Sequence, residues 1–120
     1  MNVQSEVKLF KASEQMSPPV ILQADGNEIV RSTVLQGATI EIPPIAQAGV
    51  GNILQVFVEG YGTSFNYVEL TAAHLGKPLR FSVVGIVFSQ GDTVVAHYSL
   101  VQGDNPTPSA SAIYKLIDRA

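Results

Sequence analysis

The sequence predicts an all-β protein, an antiparallel β-sandwich of two sheets with about seven strands. From Val20 onward, apolar residues recur with a period of two, the spacing of strands that bury one face. Turn residues such as glycine, proline and asparagine interrupt this pattern at intervals of about 8 to 12 residues. The connections are too short for the crossover helices of a parallel sheet. A small closed barrel is the alternative architecture.

Four strands are predicted in the first part of the domain: Val20–Leu22, Thr39–Ile42, Ile53–Glu59 and Ser64–Thr71. The first ends at a turn over residues 24–27, where glycine and asparagine tolerate positive φ. Pro43-Pro44 ends the second, because proline cannot donate to a central ladder. In the third, the alternation should turn Leu54, Val56 and Val58 inward. The Gly60-Tyr61-Gly62 turn then leads into the fourth strand.

Three further strands complete the predicted sandwich: Leu79–Val83, Thr93–Val101 and Ser111–Ile117. On the second of these, the predicted inner face consists of Val94, Ala96, Tyr98 and Leu100. Thr93, His97 and Ser99 should lie on its outer face. We expect Tyr98 to be a core tyrosine whose hydroxyl reaches a backbone partner.

Residues 1–18 are predicted to be an N-terminal extension or linker, and residues 19–120 to be the sandwich domain. The extension is mostly polar, and Pro18-Pro19 favours an extended entry into the first strand. Its apolar residues Val7, Leu9 and Phe10 could instead add a strand to a neighbouring subunit. A homo-oligomer formed through a sheet edge or through residues 1–17 therefore stays open.

Composition excludes several classes of protein. Hydrophobic residues make up 46% of the 120 residues and charged residues 14%, which is not the composition of a disordered chain. The chain has no cysteine, so disulfides and cysteine-based metal or catalytic sites are excluded. A net charge of −3 argues against a nucleic-acid partner.

No signal peptide is visible, and no apolar run approaches the roughly 18 residues of a membrane span. We therefore expect no membrane insertion. An extracellular or cell-surface location is expected only if the chain is part of a longer exported protein, and a cytoplasmic location stays open.

The polar residues form no catalytic or metal-binding pattern. His74 and His97 lack the spacing of a histidine metal site, and no G-x-S-x-G motif is present. Asp25, Asp92 and Asp104 could bind calcium, but each stands alone beside glycine or asparagine, as turns require. The sequence predicts no enzyme, no catalytic or metal-binding residue and no cofactor.

Tyr61, Phe65 and Tyr67 gather around one hairpin and are the candidate ligand contacts. Exposed aromatic rings would suit a sugar or a protein interface. The alternative is that Phe65 and Tyr67 share a face and pack on the sandwich.

Four segments carry a family resemblance: Gly37–Pro43 (GATIEIP), Gly51–Gly60 (GNILQVFVEG), Gly76–Val83 (GKPLRFSV) and Val94–Leu100 (VVAHYSL). Their order resembles that of the bacterial immunoglobulin-like repeats of large surface and adhesin-like proteins, especially of pseudomonads. The likeness covers roughly residues 19–118. Asn52, Val58 and Val84 stand where these repeats usually have Asp, Trp and Pro. Without that Trp, we expect a core built around Phe81, Phe88 and Tyr98.

The resemblance implies an immunoglobulin-like sandwich that is a diverged or terminal copy of the repeat. It also implies a non-enzymatic structural or interaction module of a bacterial surface or secreted protein, used in adhesion or protein–protein contact. A small carbohydrate-binding module that uses the Tyr61–Tyr67 hairpin is the alternative. The expected partner is thus a protein or a glycan.

Overall fold

The computed structural model describes residues 15–119, which form two β-sheets. The strands are β1 (Val20–Ile21), β2 (Glu28–Val30), β3 (Ala38–Ile42), β4 (Ile53–Gly60), β5 (Gly62–Glu69), β6 (Leu79–Val83), β7 (Thr93–Gln102), β8 (Asn105–Pro108) and β9 (Ala112–Ile117). Within the described residues, the only helical segments are 3-10 turns at Arg31–Thr33, Ala72–His74 and Gly85–Phe88. The all-β prediction is confirmed.

The strands form the two sheets of a β-sandwich. One sheet has the order β1-β3-β6 and the other β2-β9-β7-β4-β5, with β8 pairing with β7 as well. Strands β9, β7, β4 and β5 are successive neighbours in the larger sheet, and β3 pairs with β6 in the smaller one. All these pairings are antiparallel except β2 with β9. The strands form two separate sheets, so the alternative of a small closed barrel is wrong.

The core lies between the sheets, where the period-two pattern places it. Leu54, Val56 and Val58 of β4 are buried as predicted. Phe88 and Tyr98 are the largest fully buried side chains. Phe81 also packs against the core but stays half-buried, because it lies on β6 at the end of its sheet.

The sequence prediction missed β2 and β8. Strand β2 has three residues, too few to display a period, and is held by parallel pairing with β9. Strand β8 contains Pro106 and Pro108, and all four of its residues are exposed. Proline is tolerated there because β8 pairs on one side with β7.

Within the described residues, Met16 already packs against the core, on the N-terminal side of the predicted boundary. Met16 is buried and forms a parallel bridge with Ser109, and its carbonyl accepts a 2.9 Å hydrogen bond from the Ala110 amide. The Tyr98 hydroxyl donates a 2.7 Å hydrogen bond to the Ser17 carbonyl, the backbone partner predicted for it. The apolar group Val7, Leu9 and Phe10, which could add a strand to a neighbouring subunit, lies outside the described residues.

Arg31 joins three segments at the end of the sandwich where β9 finishes. Its guanidinium donates to the carbonyls of Phe88 at 2.8 Å and Gly91 at 2.7 Å, and to the Asp118 carboxylate at 2.7 Å. The hydrogen bond with Asp118 raises the pKa of Arg31 and lowers the pKa of Asp118. The loop before β7 is thereby fixed to the end of the last strand.

Candidate functional site

The outer face of the six-stranded sheet carries a row of four rings, His97, Phe57, Phe65 and Tyr67, which we call the aromatic ladder. Phe57 on β4 lies directly opposite His97 on β7 and Phe65 on β5. The ring centroids are 4.9 Å apart for Phe57 and His97, 5.1 Å for Phe57 and Phe65, and 5.9 Å for Phe65 and Tyr67. Tyr67 shares the face of Phe65 because it lies two residues further along the same strand. The ladder therefore runs across three strands.

The end of the ladder on β5 is strongly exposed. Phe65 is 48% exposed and Tyr67 68%. On β9, Ile113 adds a further apolar side chain that is 62% exposed. The solvent face of an antiparallel sheet is usually polar, so this concentration of apolar side chains is unusual. Phe65 and Tyr67 pack on each other and leave a contact surface open to solvent.

Tyr61 is separate from the ladder. It lies in the turn between β4 and β5, and its amide donates a 2.9 Å hydrogen bond to the Val87 carbonyl. Its side chain is 50% exposed and, among the described residues, stacks on no other ring. The three aromatic residues predicted to act together are thus divided between the turn and the outer face.

Polar groups lie beside the rings. His97 Nε2 is 2.6 Å from Glu59 Oε2, and both residues lie on the outer face. This contact and the stacking on Phe57 fix the imidazole from two sides. Gln55 lies directly opposite Tyr67 in the β4–β5 pairing. The surface therefore offers hydrogen-bonding groups as well as apolar area.

The stacking determines what the ladder can bind. The planes of Phe57 and His97 are inclined by 13°, and those of Phe65 and Tyr67 by 25°. Rings stacked in this way cover part of each other's faces. Tyr67 is the last ring of the row and the most exposed, so it is the ring most available to a sugar or to an apolar protein side chain.

The remaining candidates do not assemble into a site. The His74 Nδ1 atom accepts a 2.9 Å hydrogen bond from the Thr71 amide and helps to cap a 3-10 turn. Asp25, Asp92 and Asp104 lie in three separate turns, each beside a glycine with positive φ. Residues 15–119 hold no group of three or more histidine and acidic side chains that could bind a metal ion.

Two surface depressions lie away from the aromatic ladder. A shallow depression of about 350 Å³ lies beside β3 and β6, between Gln36 and Val84. Another of about 220 Å³ lies next to Tyr98, between Met16 and Gln47. No residue of the ladder lines either depression.

Phe57 and His97 belong to the site but were not among the candidate contacts. The alternation placed His97 on the outer face and is consistent with the same side for Phe57. Only the register between β4 and its two neighbours, however, brings these rings together. No local sequence signal would have identified the pair.

Comparison with known proteins gives no further guide. No family model matches the sequence, and the curated proteins and solved structures give no match either. Between residues 15 and 119, no helix is long and apolar enough to cross a membrane.

Proposed function

We propose that the chain is a non-enzymatic immunoglobulin-like interaction module that binds a protein partner through the outer face of its six-stranded sheet. The aromatic ladder, with Phe65 and Tyr67 exposed at one end, is the observation that carries this proposal. Aromatic residues are enriched at protein interfaces, and contiguous exposed apolar patches often mark interaction sites.

The energetics of burial support this function. An aromatic side chain buries roughly 200 Å², so covering the exposed half of Phe65 removes about 100 Å² from water and contributes about 2.5 kcal/mol. Tyr67 is more exposed and contributes at least as much. Because the rings already hold one another in place, little side-chain entropy is lost when a partner covers them. The ladder is thus a preorganised contact surface.

We further propose that this module belongs to a bacterial surface or secreted protein and serves in adhesion or protein–protein contact. The support is the ordered resemblance of four segments, from Gly37–Pro43 to Val94–Leu100, to immunoglobulin-like repeats of such proteins. The strand order of the two sheets is compatible with that family's fold. The rigid sandwich would hold the outer face at a fixed orientation.

A photo-cross-linking amino acid in place of Tyr67 tests this function. Incorporated in the source cells, it should form specific adducts with a protein when irradiated. The same amino acid in place of Val50, which is 67% exposed in the connection before β4, is the matched control. Adducts found at both positions, or at neither, would count against the outer face as the binding surface.

A glycan ligand is the second candidate, and the exposure of Tyr67 favours it. One ring face is open to solvent, and Gln55 lies opposite to offer hydrogen bonds to hydroxyl groups. A glycan array probed with the unaltered chain, with Tyr67→Ala and with Tyr61→Ala tests this candidate. Binding that is lost only in Tyr67→Ala would support it, and signals at background throughout would remove it.

A further inference from the structure

We infer that two copies of this chain pair through the free edge of β5, with the two strands antiparallel around a two-fold axis at Asn66. The pairing joins the two larger sheets into one continuous sheet. It uses the edge of the sheet, so the outer faces of both copies stay open to solvent on the same side. Three features of the structure support it: the hydrogen-bonding pattern of β5, the protection of the other edges, and the aromatic pairs that the axis creates.

The free edge of β5 carries unused backbone groups. The Leu70 amide donates a 2.8 Å hydrogen bond to the Asn52 carbonyl, so the even-numbered residues of β5 are those that bond to β4. Bonding residues alternate along an antiparallel strand with residues whose backbone groups point the other way. The odd-numbered residues from Thr63 to Glu69 therefore direct their N–H and C=O groups away from β4. Between residues 15 and 119, no strand pairs with this side of β5, and no other backbone hydrogen bond uses these groups.

The other edges of the two sheets are short or protected. Strands β1 and β2 have two and three residues. On β8, the alternation turns both prolines away from β7, so its outer side lacks their N–H donors. On β6, the Ser82 carbonyl accepts a 2.9 Å hydrogen bond from Asn66 Nδ2, and the Val84 amide donates to Ser64 Oγ at 3.4 Å. Among residues 15–119, β5 is therefore the one long edge without such protection, and it contains no proline, lysine or arginine.

A two-fold axis at Asn66 aligns two β5 strands over nearly their whole length. Residues whose backbone groups point outward have to lie opposite each other, so the axis passes through a residue and not between two. An axis at Asn66 places Phe65 of one copy opposite Tyr67 of the other. It also places Thr63 opposite Glu69, so no carboxylate lies opposite another. An axis at Phe65 would instead place Tyr67 opposite Thr63, and an axis at Tyr67 would place Phe65 opposite Glu69.

The pairing extends the aromatic ladder from one copy to the other. Phe65 already lies opposite Phe57 on β4, and no strand lies beyond β5 to supply a ring on its other side. The second copy supplies its Tyr67 opposite Phe65 and its Phe65 opposite Tyr67, so four rings meet around the axis. Aromatic pairs across neighbouring strands stabilise a sheet. A different strand would need aromatic residues at the same two-residue spacing, which a second copy provides by symmetry.

A single cysteine at the axis tests the pairing, because the chain has no cysteine of its own. Asn66 lies opposite itself in a pair without hydrogen bonds, where the Cα atoms are about 4.5 Å apart and within reach of a disulfide. Asn66→Cys should therefore give a disulfide-linked dimer under mild oxidation, detected by non-reducing electrophoresis. Val68→Cys, two residues further along the same face, is the matched control, because its Cα atoms would be about 14 Å apart along the strands. Equal yields from the two cysteines, or no linked dimer from either, would overturn the inference.

Substitutions of Thr63 test the register without a cross-link. Thr63 is exposed and would lie opposite Glu69 of the second copy. In sedimentation velocity between about 5 and 500 µM, Thr63→Glu should raise the dimer Kd about threefold and Thr63→Lys should lower it by a similar factor. The same two changes at Thr107, which is exposed on β8, should leave the Kd unaltered. Effects of the same sign at Thr63, or effects as large at Thr107, would overturn the proposed axis.

The oligomeric state and the photo-adducts together separate this inference from the proposed function. A chain that stays monomeric at 500 µM, with adducts from position 67 to a different protein, overturns the edge pairing and leaves the outer face as the binding surface. A dimer whose adducts from position 67 join only two copies of the chain supports the edge pairing and counts against a separate protein partner. A monomeric chain without any adduct from position 67 overturns both.

Discussion

Removing the Tyr98 hydroxyl tests how the start of the domain is attached to the core. Tyr98 is 1% exposed, and its hydroxyl donates a 2.7 Å hydrogen bond to the carbonyl of Ser17. The Tyr98 amide donates to Ser109 Oγ at 2.9 Å, so the same strand position also holds the segment before β9. Tyr98→Phe removes the first of these bonds and leaves the second, the ring and its packing in place.

The expected loss of stability is modest. A buried hydrogen bond contributes about 0.5–1.5 kcal/mol, and an acceptor left unsatisfied costs more when it is cut off from water. Ser17 is exposed, so water can reach its carbonyl after the substitution. We therefore expect Tyr98→Phe to lower the free energy of unfolding by about 1 kcal/mol. With a urea m-value of about 2 kcal/mol/M, the midpoint should fall by about 0.5 M.

The pH dependence gives a second measurement on the same variant. Burial raises the pKa of Tyr98 above its ordinary value of 10.0. The stability linked to the protonated phenol is therefore fully present below pH 10 and is lost as the pH rises toward the folded-state pKa. Tyr98→Phe lacks this group, so the difference between the two proteins should shrink above pH 10.

Urea unfolding followed by circular dichroism at pH 7 and at several values from pH 9 to 11 measures both effects. Tyr67→Phe is the control, because its exposed hydroxyl should contribute almost nothing. A Tyr98→Phe protein as stable as the unaltered chain at pH 7 would show that the hydroxyl does not anchor Ser17. A difference that stays constant through pH 11 would refute the argument from burial.

Three further substitutions test the framework around the site. Gly85→Ala should destabilise the protein by about 1–3 kcal/mol in thermal unfolding, because a Cβ would overlap the Leu35 carbonyl oxygen. An unchanged Tm would contradict this close approach of Gly85 to Leu35. Arg31 lowers the pKa of Asp118, so the Asp118 carboxylate contributes stability above its ordinary pKa of 3.8, and this contribution is lost as the pH falls below that value. Asp118→Asn should remove this contribution. Acid unfolding curves identical to those of the unaltered chain would refute this. Met16→Ala should cost about 2 kcal/mol in urea unfolding, and no loss would place Met16 outside the core.

The sequence predicted those parts of the fold in which burial alternates along one strand. Leu54, Val56 and Val58 on β4 are buried as expected, because a sheet with one face in the core requires a period of two. Strand β2 could not be predicted, because its three residues are held by parallel pairing with a strand far away in the sequence. Strand β8 was also missed, because its two prolines are typical of turns as well as of sheet edges.

The candidate site could be predicted only in part. Tyr61, Phe65 and Tyr67 are close in sequence and lie in one predicted hairpin, so the sequence predicts them as one group of ligand contacts. Membership of the ladder depends instead on which residues lie opposite one another on three strands. Phe57 meets Phe65 because the hairpin turn places Gly60 opposite Gly62, and it meets His97 through a strand about 40 residues further along. Local alternation assigns a face to each residue but leaves the register between distant strands undetermined.

The position of each ring determines whether a substitution there changes the binding surface alone or the binding surface and the stability together. Phe57 lies between two rings on a central strand whose inner side chains are fully buried, so its loss would disturb the ladder and the sheet together. Tyr67 contacts one ring, on β5 at the end of the sheet, and most of its surface is in water. Substitutions at Tyr67 therefore change the contact surface at little cost to folding, whereas substitutions at Phe57 change both. If the outer face is the binding surface, its specificity can be altered by substitutions on β5 without repacking the core.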